Sequence, residues 1–540
     1  MRSFALDLLR SARLLRFALR CAIEFVPGAR SEAGRVKAYR RLRTLIEREG
    51  VTYVKIGQFL AMRFDLLPAP LCEELARLFD GVAPVPFAQV RAVLEAEFER
   101  PLAEVFAYLE VEPVAAASIA QVHEARTHGG QRVAVKLLRP GIERVFAADM
   151  RIFRRLARLA DALRLTGSIS LTLLVDEFAK WTLRELDFPL EARMADALRQ
   201  DAGPGVQVPV IDWSHTAPHV LTMEFIDGVS LARVADLWRS GGNDAVRARI
   251  PDFDAKVALH HLATSMLHSV FDRGLFHGDL HPGNILLRAD SVGLVDFGIV
   301  GTLAGHRREL LATYYERLLR GDIEGSFRLL SQMWTPTEAA DTAGFEREVK
   351  AAIGEWHRAI ADPDGPLAAT HWGKSSDKIF HAARRAHYTM HLDMLLFFRT
   401  MGQLHASFLM LGVDFIPELR AFLVDRARRR VVREFEPDDA LQRIAGAVGI
   451  GAALPAELSA LLQRGAGAQW EQRIQRIAQP RSRTASSRAI ALALVLVSAA
   501  IAAGAPALLA QQRFLVAGTG ALTLAVLALH FMWTLRGRAA

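Results

Sequence analysis

A chain of 540 residues has room for more than one domain. Its only two cysteines, Cys21 and Cys72, supply no disulfide framework and suit a reducing compartment. The net charge of +8 and pI near 9.7 would admit nucleic acid as a partner, but no helix-turn-helix, zinc-finger or aromatic RNA-binding pattern accompanies the charge. Nucleic acid is therefore set aside and the excess is assigned to membrane contact.

At the N-terminus Arg2, Arg10, Arg13, Arg16 and Arg20 share one side of a helical wheel, with Phe4, Leu8, Leu15 and Leu19 on the other. Two readings stay open: a helix lying on anionic lipid, each basic residue contributing about 1 kcal/mol, or a helix packed on its own domain. The arginines interrupt any continuous apolar core, which argues against a cleavable signal peptide. A mostly helical extension is expected over 1–110, broken at Pro68 and Pro70 and again at Pro84 and Pro86. Within it lies K-I-G-Q, Lys55 to Gln58; alone, Lys55 reads as a surface lysine.

Residues 111–228 read as a small lobe with strands. Ala115, Ala116, Ala117 and Ser118 open the run A-A-A-S-I-A-Q-V-H, and Gly129-Gly130 forms a turn before the apolar strand V-A-V-K ending at Lys136. A lysine in such a strand is costly unless its charge is paired. Among the carboxylates Glu185, Asp187 and Glu191, the last precedes a helix-like run, 192–198, and is the expected partner. A strand over 219–225 leads into Ile226-Asp227-Gly228; in the kinase-like fold that the motifs below resemble, backbone groups from Met223 to Phe225 are expected at the hinge over which adenine sits.

Residues 229–470 read as a helical lobe carrying H-G-D-L-H-P-G-N at 277–284 and Asp296-Phe297-Gly298 at the end of an apolar run. An attacking hydroxyl or water needs a group that can take its proton, the place of Asp279. Two magnesium ions near the β and γ phosphates need hard oxygen ligands, which Asn284 and Asp296 supply. The spacing from Asp279 to Asn284 is that of a protein-kinase catalytic loop, and D-F-G completes the metal-binding pattern. D-F-G alone is weak, since Asp and Gly at a strand end also mark a plain turn; the ordered pair is specific. His260, His261 and His268 lack an H-E-x-x-H arrangement and read as core or surface residues.

A basic linker, 471–488, then precedes two runs without a charged residue, 489–510 and 514–535. Each would be about 33 Å long as a helix at roughly 1.5 Å per residue, enough to span a hydrocarbon core of about 30 Å. Gln511-Gln512-Arg513 alone joins them, so they would form a hairpin, either in a membrane or as a buried soluble pair. Arg481, Arg483, Arg488, Arg536 and Arg538 flank the outer ends; by the positive-inside rule the large domain is cytoplasmic.

K-I-G-Q, A-A-A-S-I-A-Q-V-H, V-A-V-K, E-L-D, H-G-D-L-H-P-G-N and D-F-G occur in the order seen in the UbiB family of atypical kinase-like proteins, which the chain resembles from about Val51 to at least Gly301. The resemblance implies an α+β, bilobal protein-kinase-like fold with an N-terminal helical extension and a C-terminal transmembrane helical hairpin. It implies ATP or ADP and Mg2+ as cofactors, and support of ubiquinone biosynthesis at a bacterial-type inner membrane. Partners would be membrane lipid, isoprenoid-quinone intermediates and other enzymes of that pathway. It also places the K-x-G-Q segment over the active site where a protein substrate would dock, with Lys55 and Gln58 facing the nucleotide near Glu185 and Asp187.

Departures from protein kinases sharpen the expectation. The alanine-rich run replaces a G-x-G-x-x-G loop, so the phosphate cover is stiffer. Gly278 stands where H-R-D has arginine, and His281 replaces the catalytic-loop lysine. No A-P-E follows Gly298 to close a peptide-binding segment. The pattern argues against phosphorylating proteins in trans. It leaves two function classes: an atypical kinase or ATPase, and a nucleotide-binding scaffold for quinone-pathway enzymes without turnover.

Overall fold

The computed structural model describes residue 10, residues 16–17, 32–79, 84–163 and 170–434. Cys21, the basic linker and both apolar runs expected to span a membrane lie outside the described residues. Among the described residues no helix is long and apolar enough to cross a membrane.

The extension consists of α1 (Glu32–Glu49), α2 (Val51–Ala61) and α3 (Ala69–Ala76). Proline residues set the breaks: Pro68 is the N-cap of α3, and Pro86 that of α4 (Phe87–Phe98). Tyr39, Ile46, Tyr53, Val54, Leu71, Leu75 and Leu78 form the extension's own core. Gly57 of K-I-G-Q is pressed into it: a Cβ there would lie 2.2 Å from Leu78 Cδ1. Arg10 is buried against Asp149, its Nε donating at 2.6 Å, and Arg16 reaches Glu49 at 3.2 Å. These two arginines of the N-terminal wheel are paired within the protein.

The small lobe is an antiparallel sheet in the order β1 (Tyr108–Leu109), β3 (Ala120–Arg126), β4 (Arg132–Leu138), β6 (Val220–Glu224), with β2 (Ala115–Ala116) also paired to β3. Alternation places Val133, Val135 and Leu137 on one face, packed with Val90, Leu94, Val105 and Phe106 from α4 and α5 (Leu102–Val105) and beyond. The lobe's core thus begins before residue 111. Between β4 and β6 run α6 (Ile142–Ala162), α7 (Leu171–Glu185), α8 (Phe188–Gln200) and β5 (Val206–Gln207). Ser170 caps α7 and Asp187 caps α8, each accepting a backbone N–H three residues on.

After β7 (Val229–Ser230) the helical lobe follows with α9 (Leu231–Arg247) and α10 (Ala255–His268). Short strands β8 (Leu275–His277), β9 (Ile285–Leu287), β10 (Val292–Leu294) and β11 (Val300–Thr302) frame the catalytic-loop residues. β5 adds parallel to β10, while β9 and β7 complete that sheet antiparallel; β8 pairs with β11. Helices α11 (Gly305–Leu319), α12 (Ile323–Ser331), α13 (Thr342–Ala361), α14 (Trp372–Arg385), α15 (Leu392–Met410) and α16 (Ile416–Glu434) follow. Phe397 of α15 sits about equally far from Phe271 and Tyr315, 6.0 and 6.1 Å between ring centres. That aromatic cluster seats α15 behind β8 and β11.

Candidate functional site

The site is built around Lys136. Its neighbours on β4 are apolar, and the ammonium is buried beside two carboxylates: Nζ lies 2.6 Å from Glu191 Oε1 and 2.8 Å from Asp296 Oδ1. Glu191 lies in the first turn of α8, where the Asp187 cap and Pro189 begin the helix. Its Oε1 also accepts the N–H of Phe297 at 3.2 Å, which ties helix α8 to D-F-G. Burial pushes the Glu191 carboxyl up to about 7, against the opposing pull of Lys136. For Lys136 burial acts to lower the pKa, but Asp296 and Glu191 outweigh it and the ammonium stays charged. Asp296 is likewise opposed by burial and held well below the carboxylate range by Lys136.

Asp296 adopts φ 64°, a left-handed backbone that costs a non-glycine residue on the order of 1 kcal/mol and recurs at functional sites. Its side chain is 48% exposed, so the carboxylate opens toward the cleft while Lys136 and Glu191 are closed off. A second buried pair lies alongside. Lys55 of α2 forms an ion pair with Glu185, the last residue of α7, and sits over the Trp181 ring at 5.4 Å. Burial raises the Glu185 carboxyl, opposed by Lys55. A Cβ built on Gly298 would meet Asp296 Oδ1, Glu191 Oε2 and Glu185 Cγ within 3.8 Å. Lys55, the lone lysine of the extension's helix, therefore belongs to the same centre as D-F-G.

The extension is fastened to both lobes. Arg63 binds Asp65 bidentately at 2.8 Å and Glu177 of α7 at 2.7 Å. On the other side Arg384 of α14 donates to the Phe64 carbonyl, and Phe64 packs on Phe380 at 5.9 Å.

His277 organises the H-G-D-L-H-P-G-N loop. Its Nδ1 accepts the N–H of Asp279 at 3.1 Å, so Nε2 carries the proton given to the Val295 carbonyl at 3.2 Å. Burial lowers its pKa and keeps the ring neutral, and it packs on Phe297 at 5.3 Å. Asn284 Nδ2 donates to the Asp279 carbonyl at 3.1 Å, and its own carbonyl accepts Val295 N–H. Asp279 is buried, with Oδ1 held by Arg399 Nη2 at 2.8 Å and Gln403 Nε2 at 3.2 Å. His281 turns inward on its own loop, Nδ1 accepting Gly283 N–H at 3.2 Å.

Other expected residues have the following local partners. Asp187 is exposed and spends its carboxylate on the α8 cap. Gln58 is buried and donates to the Leu78 carbonyl at 3.1 Å. Ala115 and Ala116 pair with Val122 and Gln121, and Ala117 N–H closes a tight hairpin on the Ala120 carbonyl with Ser118 buried at its tip. Met223 pairs with Ala134 inside the sheet. The N–H groups of Glu224 and Phe225 donate to Val210 and Arg132 carbonyls, so those two amides complete backbone pairing instead of facing the cleft. Arg399 and Gln403 were not foreseen from the sequence.

The donor set fits magnesium. Glu185 Oε1 and Glu191 Oε2 are buried without a hydrogen-bond partner among the described residues, and Asp296 and Asn284 add further hard oxygens. No group of three or more His, Cys, Asp or Glu among the described residues forms a metal cage. Mg2+ characteristically uses one or two carboxylates with substrate phosphates.

Residues 77–329 match the ABC1 atypical kinase-like domain. A probable protein kinase UbiB of Marinobacter nauticus is 33% identical over 408 residues, 72% of this chain and 70% of that protein. The chain belongs to the UbiB family of atypical kinase-like proteins. A probable protein kinase UbiB of Xylella fastidiosa is 29% identical over 460 residues, 82% of this chain and 78% of its own. A solved structure of Rv3197 with erythromycin, from Mycobacterium tuberculosis, aligns with 63% of this chain and 90% of its own at 24% identity and a TM-score of 0.42; a likeness of that degree carries no argument.

Proposed function

We propose that this UbiB-family chain is an ATP-binding atypical kinase or ATPase that supports ubiquinone biosynthesis at the cytoplasmic face of a bacterial-type inner membrane. The observation that carries the reading is the joint placement of Lys136, Glu191 and Asp296 within 2.8 Å contacts. Lys136 would pair with phosphate oxygens, Asp296 and Asn284 would hold Mg2+, and Asp279 would orient and take the proton of the acceptor. Bound Mg2+ would neutralise charge on the transferring phosphoryl group. The chain's own residues do the remaining work: Glu191 holds Lys136, His277 fixes the loop, and Lys55 with Glu185 closes the side where a protein substrate would dock. The apolar runs 489–510 and 514–535 would keep this centre beside membrane-held isoprenoid-quinone intermediates.

The scaffold alternative needs nucleotide binding but no base. The experiment measures cellular ubiquinone alongside Mg2+-dependent ATP hydrolysis and ATP binding of Asp279→Asn, which removes the base and leaves the metal ligands. Retained ATP binding with joint loss of turnover and ubiquinone is expected; normal ubiquinone with turnover abolished supports the scaffold and sinks the enzyme.

A further inference from the structure

A buried carboxylate needs a compensating charge or several donors, and the catalytic loop supplies Asp279 with no cation. His277 is neutral, residue 278 has no side chain, and the His281 ring accepts a hydrogen bond from its own loop. The cation comes from 120 residues downstream. Arg399 Nη2 lies 2.8 Å from Asp279 Oδ1, with about a tenth of each side chain exposed.

Gln403, one turn further along α15, reinforces this contact twice. Its Nε2 donates to the same Asp279 Oδ1 at 3.2 Å, and its Oε1 accepts the N–H of Leu280 at 3.1 Å. One amide thereby joins the side chain of Asp279 to the backbone of the next residue. The Thr400 hydroxyl adds a contact to the His277 carbonyl at 3.4 Å. Both side-chain donors fall on Oδ1, and among the described residues none donates to Oδ2. The carboxylate is gripped by one oxygen and keeps the other for a hydroxyl or water.

Gly278 belongs to the same arrangement. A Cβ on it would stand 2.9 Å from Ile299 Cγ2, 3.0 Å from the Ile299 carbonyl oxygen and 3.1 Å from Leu396 Cδ2. Leu396, Arg399, Thr400 and Gln403 are spaced i, i+3, i+4 and i+7, one stripe of α15. The stripe lies so close that the loop has no room for a side chain at 278, and it brings its own arginine. We propose that Arg399, seconded by Gln403, is the positioning residue that orients Asp279 for phosphoryl transfer. This rests on the role given to Asp279 above.

The test uses the full chain purified in detergent, with Arg399→Ala, Arg399→Lys and Gln403→Leu. Steady-state ATP hydrolysis and binding of a fluorescent ATP analogue are measured. Misorienting the base acts on the chemical step, so Arg399→Ala should lose about tenfold or more in kcat with KM for ATP within about twofold. Millimolar guanidinium should restore part of the kcat of Arg399→Ala, and Arg399→Lys should fall between the two. Gln403→Leu should lower kcat severalfold, and it carries the test if Arg399→Ala fails to fold. Unchanged kcat in a folded Arg399→Ala, or losses in kcat and ATP affinity together without guanidinium rescue, overturns the assignment. Wild-type protein without any turnover overturns the enzyme reading as well; turnover in wild type with an unaffected variant overturns only the role of Arg399.

Discussion

Replacing Lys136 by methionine keeps the length and apolar stem of the side chain and removes its charge. Glu191, 1% exposed, then loses the partner 2.6 Å away. Breaking a buried pair by deleting one member typically costs about 3–5 kcal/mol, because the other charge is stranded. Asp296 adds little to this figure, since its half-exposed side chain is screened by solvent. The variant's loss also depends on pH. Burial already pushes Glu191 up to about 7. A carboxyl raised in the folded state favours folding fully below its unfolded value of about 4.3, and that contribution is lost as pH rises through the folded value. Without Lys136 the folded value climbs further, so Lys136→Met should lose stability relative to wild type between pH 6 and 8.5, by up to about 1.4 kcal/mol per unit. Urea denaturation followed by tryptophan fluorescence at these pH values measures both effects. A loss below about 1 kcal/mol with the pH dependence of wild type would refute the buried pairing.

Two further predictions concern the frame of the site. Gly278→Ala places a methyl against Ile299 and Leu396 and should cost about 1–3 kcal/mol as overpacking; an unchanged Tm would show that α15 yields at no cost. His405 of α15 is buried, its Nδ1 accepting Trp372 N–H at 3.3 Å, and burial, aided by nearby His371, pushes its pKa down to about 3. A depressed histidine contributes stability present above its unfolded value of about 6.5 and lost as pH falls toward 3. His405→Gln should therefore flatten the fall in Tm between pH 7 and pH 4.5; an unaltered slope would assign that fall to other groups.

Much of this centre was legible because its parts are contiguous in sequence. V-A-V-K, H-G-D-L-H-P-G-N and D-F-G each lie in one strand or loop, where residue type and spacing express the chemistry directly. Glu191 was readable because a carboxylate at a helix start is the natural partner for a strand lysine. Asp187 could also have been read as a cap, since Asp followed by Pro two residues later marks a helix start. Arg399 was hidden by distance along the chain. Its signal is faint: an arginine and a glutamine one turn apart in the mostly apolar run M-L-L-F-F-R-T-M-G-Q-L, polar groups that a buried helix carries only with a partner. The backbone partners of the Glu224 and Phe225 amides lie across the sheet, where register decides the pairing and leaves no mark in residue type.

The brace that α15 gives Asp279 alters what counts as the kinase-like unit. The segment matching the ABC1 domain ends at residue 329, yet two of the groups that hold Asp279 lie at 399 and 403. The segment begins at 77, beyond Lys55, which is paired to Glu185. A fragment cut to the matched boundaries would keep every signature motif from V-A-V-K to D-F-G and still leave a buried aspartate without its cation and a buried glutamate without its lysine. Excision for crystallisation or transplantation has to follow these pairings, from ahead of Lys55 to beyond Gln403.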